Sequence, residues 1–380
     1  MPDFFWTEPS IPIVLVCLLA YVLFAVGFYR PYAMTPGNIK AKRGVSVPMW
    51  LFALFLVIFV CIDSDWFHYQ NTVWDYDFTP NARNYGEPIY GFIIYLVSKN
   101  YLGFRLAVWG GALVVATATF KRLGLNPNYC LYLLICAFLL KFNYARASLA
   151  MALYFFGFSF LAKPWKRHPE RSFLLFAFFL YLSYVFHTSC LILVALTIVI
   201  LLPINKYTVT LLLLVLPFAG YYINNNIDMF FGQDFLVSDE YMQSKMQGYY
   251  AKQAEGANLY GQIANVIQYG AFYVAAFICI KKYFKHSKQM PVWVKRLVKL
   301  TISILLVSAI FIFVDMSSNV LFYRILFMTF IPLVILSVYL MERGLLTARA
   351  YKFILFWGIA SNLYRLLYVL YIVDQGRYTI

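Results

Sequence analysis

Between Lys141 and Ser189 two apolar runs, KFNYARASLAMALYFFGFSFL and SFLLFAFFLYLSYVFHTS, are joined by the basic turn KPWKRHPER. Runs of that length with charge confined to their ends fit a helical hairpin through a hydrocarbon layer, its turn in water. The pattern recurs along the whole chain. Hydrophobic residues make up 63% of the 380 and charged ones only 12%. Soluble domains carry about 25% charged residues. A mean hydropathy of +0.71 agrees, and 20% aromatics, with 37 Phe and 32 Tyr, suit a bundle with interfacial belts. The chain reads as an all-α polytopic membrane protein.

Twelve spans are expected, near 11–29, 45–62, 102–120, 128–142, 146–162, 172–186, 188–203, 208–222, 261–280, 297–314, 320–340 and 352–373. The segment PIYGFIIYLVS at 88–98 is too short to cross and reads as a re-entrant or interfacial piece. The N-terminal MPDFFWTEPS has two acids and no Lys or Arg, which does not fit a secretory leader, so the first run is expected to stay as a span. The six cysteines lie in or beside apolar runs and none forms a CxxC pair, so they read as small packing residues.

Charge gives the sidedness. The turns at Arg30, Lys121, Lys163, Lys206, Lys281 and Arg343 hold 21 of the 31 Lys and Arg residues but only Glu170 and Glu342 as acids. The remaining loops and spans hold the other 14 acids. By the positive-inside rule the basic turns are cytoplasmic and both termini lie outside. The same distribution removes nucleic acid as the explanation of the +15 net charge. A crossing at 88–98 would invert every later loop, so that segment belongs to the outer face. The chain reads as one transmembrane domain, 1–380, with outer loops 63–101 and 223–260 shaping a cavity.

Ionisable groups at the rim of a span are costly and point to function. Arg146 opens the span RASLAMALYFF and Arg324 lies in NVLFYRILFMTF near the outer end of another. Two arginines there could grip a diphosphate through forked, charge-assisted hydrogen bonds, or they could snorkel to lipid phosphate. His187, at the outer turn FHTS, could take a proton from a hydroxyl; the competing reading is a packed, hydrogen-bonded histidine. Lys141 and Tyr144 lie on the turn before Arg146, while Asp65, His68 and Arg83 lie on the acidic outer loop. These five are candidate substrate-binding residues. Glu87 precedes Pro88 and could orient a sugar hydroxyl or cap the short segment's helix. The spacing of Asp63, Asp65 and His68 allows a hard metal ion, but solvated acidic loops commonly carry such residues without one, and neither metal nor cofactor is expected.

The order of these pieces resembles a known family. An acidic outer loop is followed by EPIYGFIIYLVS, the RASLAMALYFFGFSFL span, FHTSCLILVAL and the Arg-led FYRILFMTFIPLVIL. Over most of 60–340 this is similar to the EpsG-like branch of Wzy-type polysaccharide polymerases. The resemblance implies a GT-C-like bundle in the bacterial plasma membrane that joins oligosaccharide repeat units carried on undecaprenyl diphosphate at the outer face. The mechanism that the residues suggest fits this resemblance: Arg146 and Arg324 on the diphosphate and His187 as base, in a metal-independent inverting transfer. The expected partners are the lipid-linked oligosaccharide and membrane lipid, with room for a chain-length regulator and a flippase. Three alternatives stay open: a flippase or exporter for the lipid-linked glycan, a GT-C transferase using the Asp63 and Asp65 carboxylates, and an O-antigen ligase.

Overall fold

The computed structural model describes residues 11–33, 44–59, 88–142, 145–165, 167–187, 190–199, 205–225, 259–310 and 325–374. In chain order the helices are α1 (Ile11–Gly27), α2 (Tyr29–Ala33), α3 (Val47–Phe59), α4 (Pro88–Leu96) and α5 (Tyr101–Leu123). They continue as α6 (Pro127–Phe142), α7 (Ala145–Ala162), α8 (Pro169–Phe186), α9 (Leu191–Val199) and α10 (Lys206–Asn225). The last four are α11 (Leu259–His286), α12 (Val292–Ile310), α13 (Ile325–Glu342) and α14 (Ala348–Asp374). No strand occurs among the described residues.

Three stretches are long and apolar enough to cross a membrane: the 23 residues of α5, the 18 of α13, and 24 of α14 up to Tyr371. At 1.5 Å per residue they measure about 35, 27 and 36 Å against a hydrocarbon thickness of about 30 Å. Shorter apolar helices accompany them in α1, α3, α6, α7 and α10. This is a membrane protein. Helix α13 is its centre, with 94% of its window buried, whereas α14 buries only 39%. On α10 the side chains of Tyr207, Leu211, Leu214 and Phe218 are exposed at helical spacing, an apolar stripe that suits lipid.

The segment at 88–98 forms the nine-residue helix α4, about 14 Å long and under half a bilayer core. The chain reverses through Ser98 and Lys99, both at positive φ (49° and 58°). Asn100 then caps α5, its Oδ1 accepting the Gly103 N–H at 2.9 Å. A Cβ on Gly103 would lie 3.1 Å from the Val97 Cβ, so the turn is tight.

The expected basic hairpin is present as α7 and α8. Gly157 lets them approach: a Cβ there would lie 2.7 Å from the Phe179 Cβ. Phe156 meets Phe179 edge-on at 4.9 Å, and Phe160 meets Trp165 of the turn at 5.7 Å. Pro169 starts α8, where its missing N–H costs no helical bond.

The basic turns gather at one end of the bundle. Helix α5 stops at Gly124 (φ 76°), with Gly124 N–H donating to Lys121 O and Leu125 N–H to Phe120 O at 2.9 and 3.0 Å. That pair of bonds satisfies carbonyls the helix would otherwise orphan. Beyond the stop, Asn126 N–H donates to the Glu342 carboxylate at 2.7 Å. Asn128 accepts from Ser46 N–H at 2.7 Å and donates to Gly44 O at 3.0 Å. One turn thereby ties α3, α5, α6 and α13.

A polar knot joins α1, α6 and α14 in the interior. Tyr21 Oη donates to Cys136 O at 2.7 Å, and Asn362 Nδ2 lies 3.1 Å from Tyr21 Oη and 3.0 Å from Cys136 O. Side-chain hydrogen bonds of this kind hold membrane helices together where the hydrophobic effect does not. Five cysteines, Cys17, Cys130, Cys136, Cys190 and Cys279, are free and buried, in keeping with packing roles. Nearby, a Cβ on Gly358 would lie 2.2 Å from Ala137 Cα, backbone against backbone. Gly358→Ala should therefore lower the unfolding midpoint in detergent, by overpacking worth about 1–3 kcal/mol. Gly27→Ala, where nothing lies within 4 Å, should leave the midpoint unchanged or raise it.

Candidate active site

At the end opposite the basic turns, α8 closes on His187. Its backbone is extended (φ −158°, ψ 111°), its N–H donates to Ser183 O at 3.0 Å and its carbonyl accepts from Cys190 N–H at 2.9 Å. The residue is half-buried. The chain then doubles back as α9, pinned to α7 by Tyr154, whose hydroxyl lies 2.6 Å from Thr197 Oγ1 and 3.3 Å from Leu193 O. His187 thus sits at a vertex between two helices that both lie against α7. One turn earlier, Ser183 Oγ is buried with no hydrogen-bond partner among the described residues.

Arg146 is the second residue of α7. The antiparallel register that sets Gly157 against Phe176 and Phe179 brings the start of α7 level with the end of α8. The backbones of Arg146 and His187 therefore share one end of the bundle. Lys141 is the penultimate residue of α6, which ends where α7 begins. The side chains of Lys141 and Arg146 lie outside the described residues, and so do Asp63, Asp65, His68, Arg83, Glu87, Tyr144 and Arg324. Among the described residues no group of three His, Cys, Asp or Glu could hold a metal ion.

An aromatic chain leads from His187 across this end. Phe186 packs edge-on against Tyr90 of α4 at 5.7 Å, Tyr90 packs on Phe104 at 6.2 Å, and Phe104 on Trp109 at 6.0 Å. The chain ends at Arg105, which is 2% exposed. Its guanidinium lies 4.3 Å from the Trp109 ring centroid and 5.7 Å from that of Tyr101. Its Nη2 donates to Val57 O at 3.1 Å, its Nη1 to Tyr101 Oη at 3.2 Å, and its Nε to Ile58 O.

In sequence Arg105 is one of the Lys and Arg residues outside the basic turns. Its signal was the spacing Tyr101, Arg105, Trp109, four residues apart on one helical face. Its partners are the final carbonyls of α3, where a cation meets the negative end of the helix dipole. Arg105 thereby holds the end of α3, which the acidic loop follows in sequence. It is a positioning residue. Arg105→Met keeps the stem but strands two buried carbonyls, at about 1–3 kcal/mol each. Thermal unfolding in detergent should show the loss, and limited proteolysis should cut faster just beyond Phe59. Arg105→Lys should not restore either, because a point charge cannot reach three acceptors as a fork does.

Neither curated proteins nor solved structures give a match to the chain. A family match covers residues 46–377, taking in α3, the aromatic chain, the α7–α8 hairpin, His187, α13 and α14. The chain belongs to the EpsG family, the Wzy-type polysaccharide polymerases that its order of motifs resembles.

Proposed function

We propose that this protein lengthens a polysaccharide by joining oligosaccharide repeat units carried on undecaprenyl diphosphate, at the outer face of the bacterial plasma membrane. The observation that carries the reading is the EpsG family match across residues 46–377. The return of the α7–α8 hairpin to one end of the bundle supports it, because it lets one cavity draw on Arg146 and His187 together. The proposal keeps the twelve spans, the outward termini and the single transmembrane domain with its two outer loops.

In the proposed step a hydroxyl of the incoming unit attacks the anomeric carbon of the growing glycan. The new C–O bond forms as the bond from that carbon to the lipid diphosphate breaks, so the configuration inverts. The hydroxyl proton passes to the His187 ring, and the electron pair leaves on the diphosphate. Arg146 and Arg324 stabilise the negative charge that builds there, an interaction stronger in the transition state than in the bound substrate. This assigns charge neutralisation to the arginines and needs no metal ion. Lys141 and Tyr144 border the diphosphate, and Asp65, His68, Arg83 and Glu87 reach the sugars from the outer loop. A chain-length regulator and a flippase are the protein partners that such a reaction would use.

The test is direct. Purified protein incubated with defined lipid-diphosphate repeat units should produce a ladder of products. His187→Ala should slow extension by about 10²–10⁴-fold, and Arg146→Ala by about 10²–10³-fold, with binding of the lipid-linked unit less affected than the rate. No ladder from the wild type, or an undiminished one from both variants, defeats the mechanism. Movement of lipid-linked units across vesicles without lengthening would favour an exporter.

A further inference from the structure

The basic end of the bundle carries a second constellation, remote from His187. A cavity of about 250 Å³ opens between four elements: the turn Leu123–Leu125 after α5, Lys163 after α7, Trp293 on α12, and Tyr339, Glu342 and Arg343 at the end of α13. That volume exceeds several times the roughly 30 Å³ share of one liquid water. Its walls are aromatic and its charges mainly positive. Trp293 and Tyr339 meet edge-on at 5.2 Å, Lys163 Nζ lies 5.0 Å from the Trp293 ring centroid, and the Arg343 guanidinium 5.7 Å from that of Tyr339.

Both cations have donors to spare. Lys163 Nζ donates to Leu123 O, leaving two of its three hydrogens. Arg343 is exposed and makes no ion pair among the described residues. Glu342 directs Oε1 at the Asn126 N–H and lies within ion-pair distance of neither cation. Behind Lys163 stands a third cation, Arg122, stacked 3.7 Å over Phe160 and donating from Nη2 to Lys163 O at 2.9 Å. Its Nε is buried without a hydrogen-bond partner among the described residues. Burial, then the charges of Arg122 and Arg343, hold the Lys163 amine below its usual range. Positive charge is crowded here, three cations against the single carboxylate of Glu342. Gly124 forms part of the wall, its φ of 76° favouring glycine.

We propose that this cavity binds a phosphate group, gripped by the Arg343 fork and the Lys163 ammonium between the Trp293 and Tyr339 rings. Forked guanidinium and ammonium donors lining one cavity match phosphate oxygens. The cavity's place at the ends of membrane helices, on the side rich in Lys and Arg, puts it at headgroup depth, where basic pockets between helices take anionic lipid headgroups. A phosphate reaching the site from solution presents the same oxygens. Neither source depends on the polymerase chemistry at the far end.

The full chain, purified in detergent, can be titrated with inorganic phosphate while Trp fluorescence and the unfolding midpoint are followed. In a parallel arm it is placed in nanodiscs of phosphatidylglycerol or of phosphatidylcholine and its bound lipid is measured by native mass spectrometry. Saturable binding in at least one arm is expected. Arg343→Gln, an exposed substitution that should leave folding intact, weakens it about tenfold. Glu342→Gln keeps an oxygen for the Asn126 N–H but removes the one negative wall, so it should tighten binding several-fold. Binding of free phosphate alone assigns the site to a soluble ligand; retention of phosphatidylglycerol alone assigns it to lipid. No saturable binding in either arm overturns the proposal, as does a shift of both variants in the same direction or in neither.

Discussion

Inside a bilayer no water is available to a bare N–H or carbonyl, and each one left unsatisfied costs several kcal/mol. The fold follows from that constraint. The apolar runs become helices, because a helix satisfies its own backbone. Helices α6 and α14 press together at Ala137 and Gly358, because small residues let backbones approach where no hydrophobic force drives them together. Polar side chains inside the bundle serve the same end. Tyr21 and Asn362 both address the carbonyl of Cys136, and Tyr132 Oη donates to the carbonyl of Ala25 at 2.8 Å.

The constraint is sharpest where helices stop, since their last carbonyls and first N–H groups must find partners. The two ends solve this differently. At the basic end the left-handed Gly124 closes α5, and Asn126, Asn128 and Glu342 bind neighbouring turns to one another. At the other end a single guanidinium closes α3, supported by rings that run through Phe104 and Tyr90 to Phe186. The first end is stapled and charged. The second is aromatic, buried and continuous with His187.

The sequence made the helices, the basic hairpin and the shortness of the segment at 88–98 readable, because each depends on length and local pattern alone. The shared end of Arg146 and His187 was readable too, since a hairpin with a charged turn has only one way to return. Other features were hidden for a common reason. Arg105, Asn362 and Asn128 are bonded to backbone atoms of segments far along the chain, and a carbonyl has no signature in sequence. The cavity beside Lys163 was hidden more deeply still. It needs four elements to converge, and read singly, Lys163 and Arg343 were two more positive charges on the inside. Tyr90 likewise reads as a generic interfacial ring until α4 is seen wedged against Phe186.

One irregularity reaches further than its size. Between Leu106 and Gly110 helix α5 widens into a π turn, the equivalent of an α-helix holding one residue too many. Each residue in a regular helix advances the face by about 100°, so the surplus residue gives α5 two phases in one rod. The half beyond Gly111 faces the core by one rule, and Tyr101 and Arg105 face the end of α3 by another. The length of this segment is therefore fixed by angle as much as by distance. A lineage could exchange many of its apolar side chains freely, but losing a single residue here would rotate Tyr101 and Arg105 away from the end of α3.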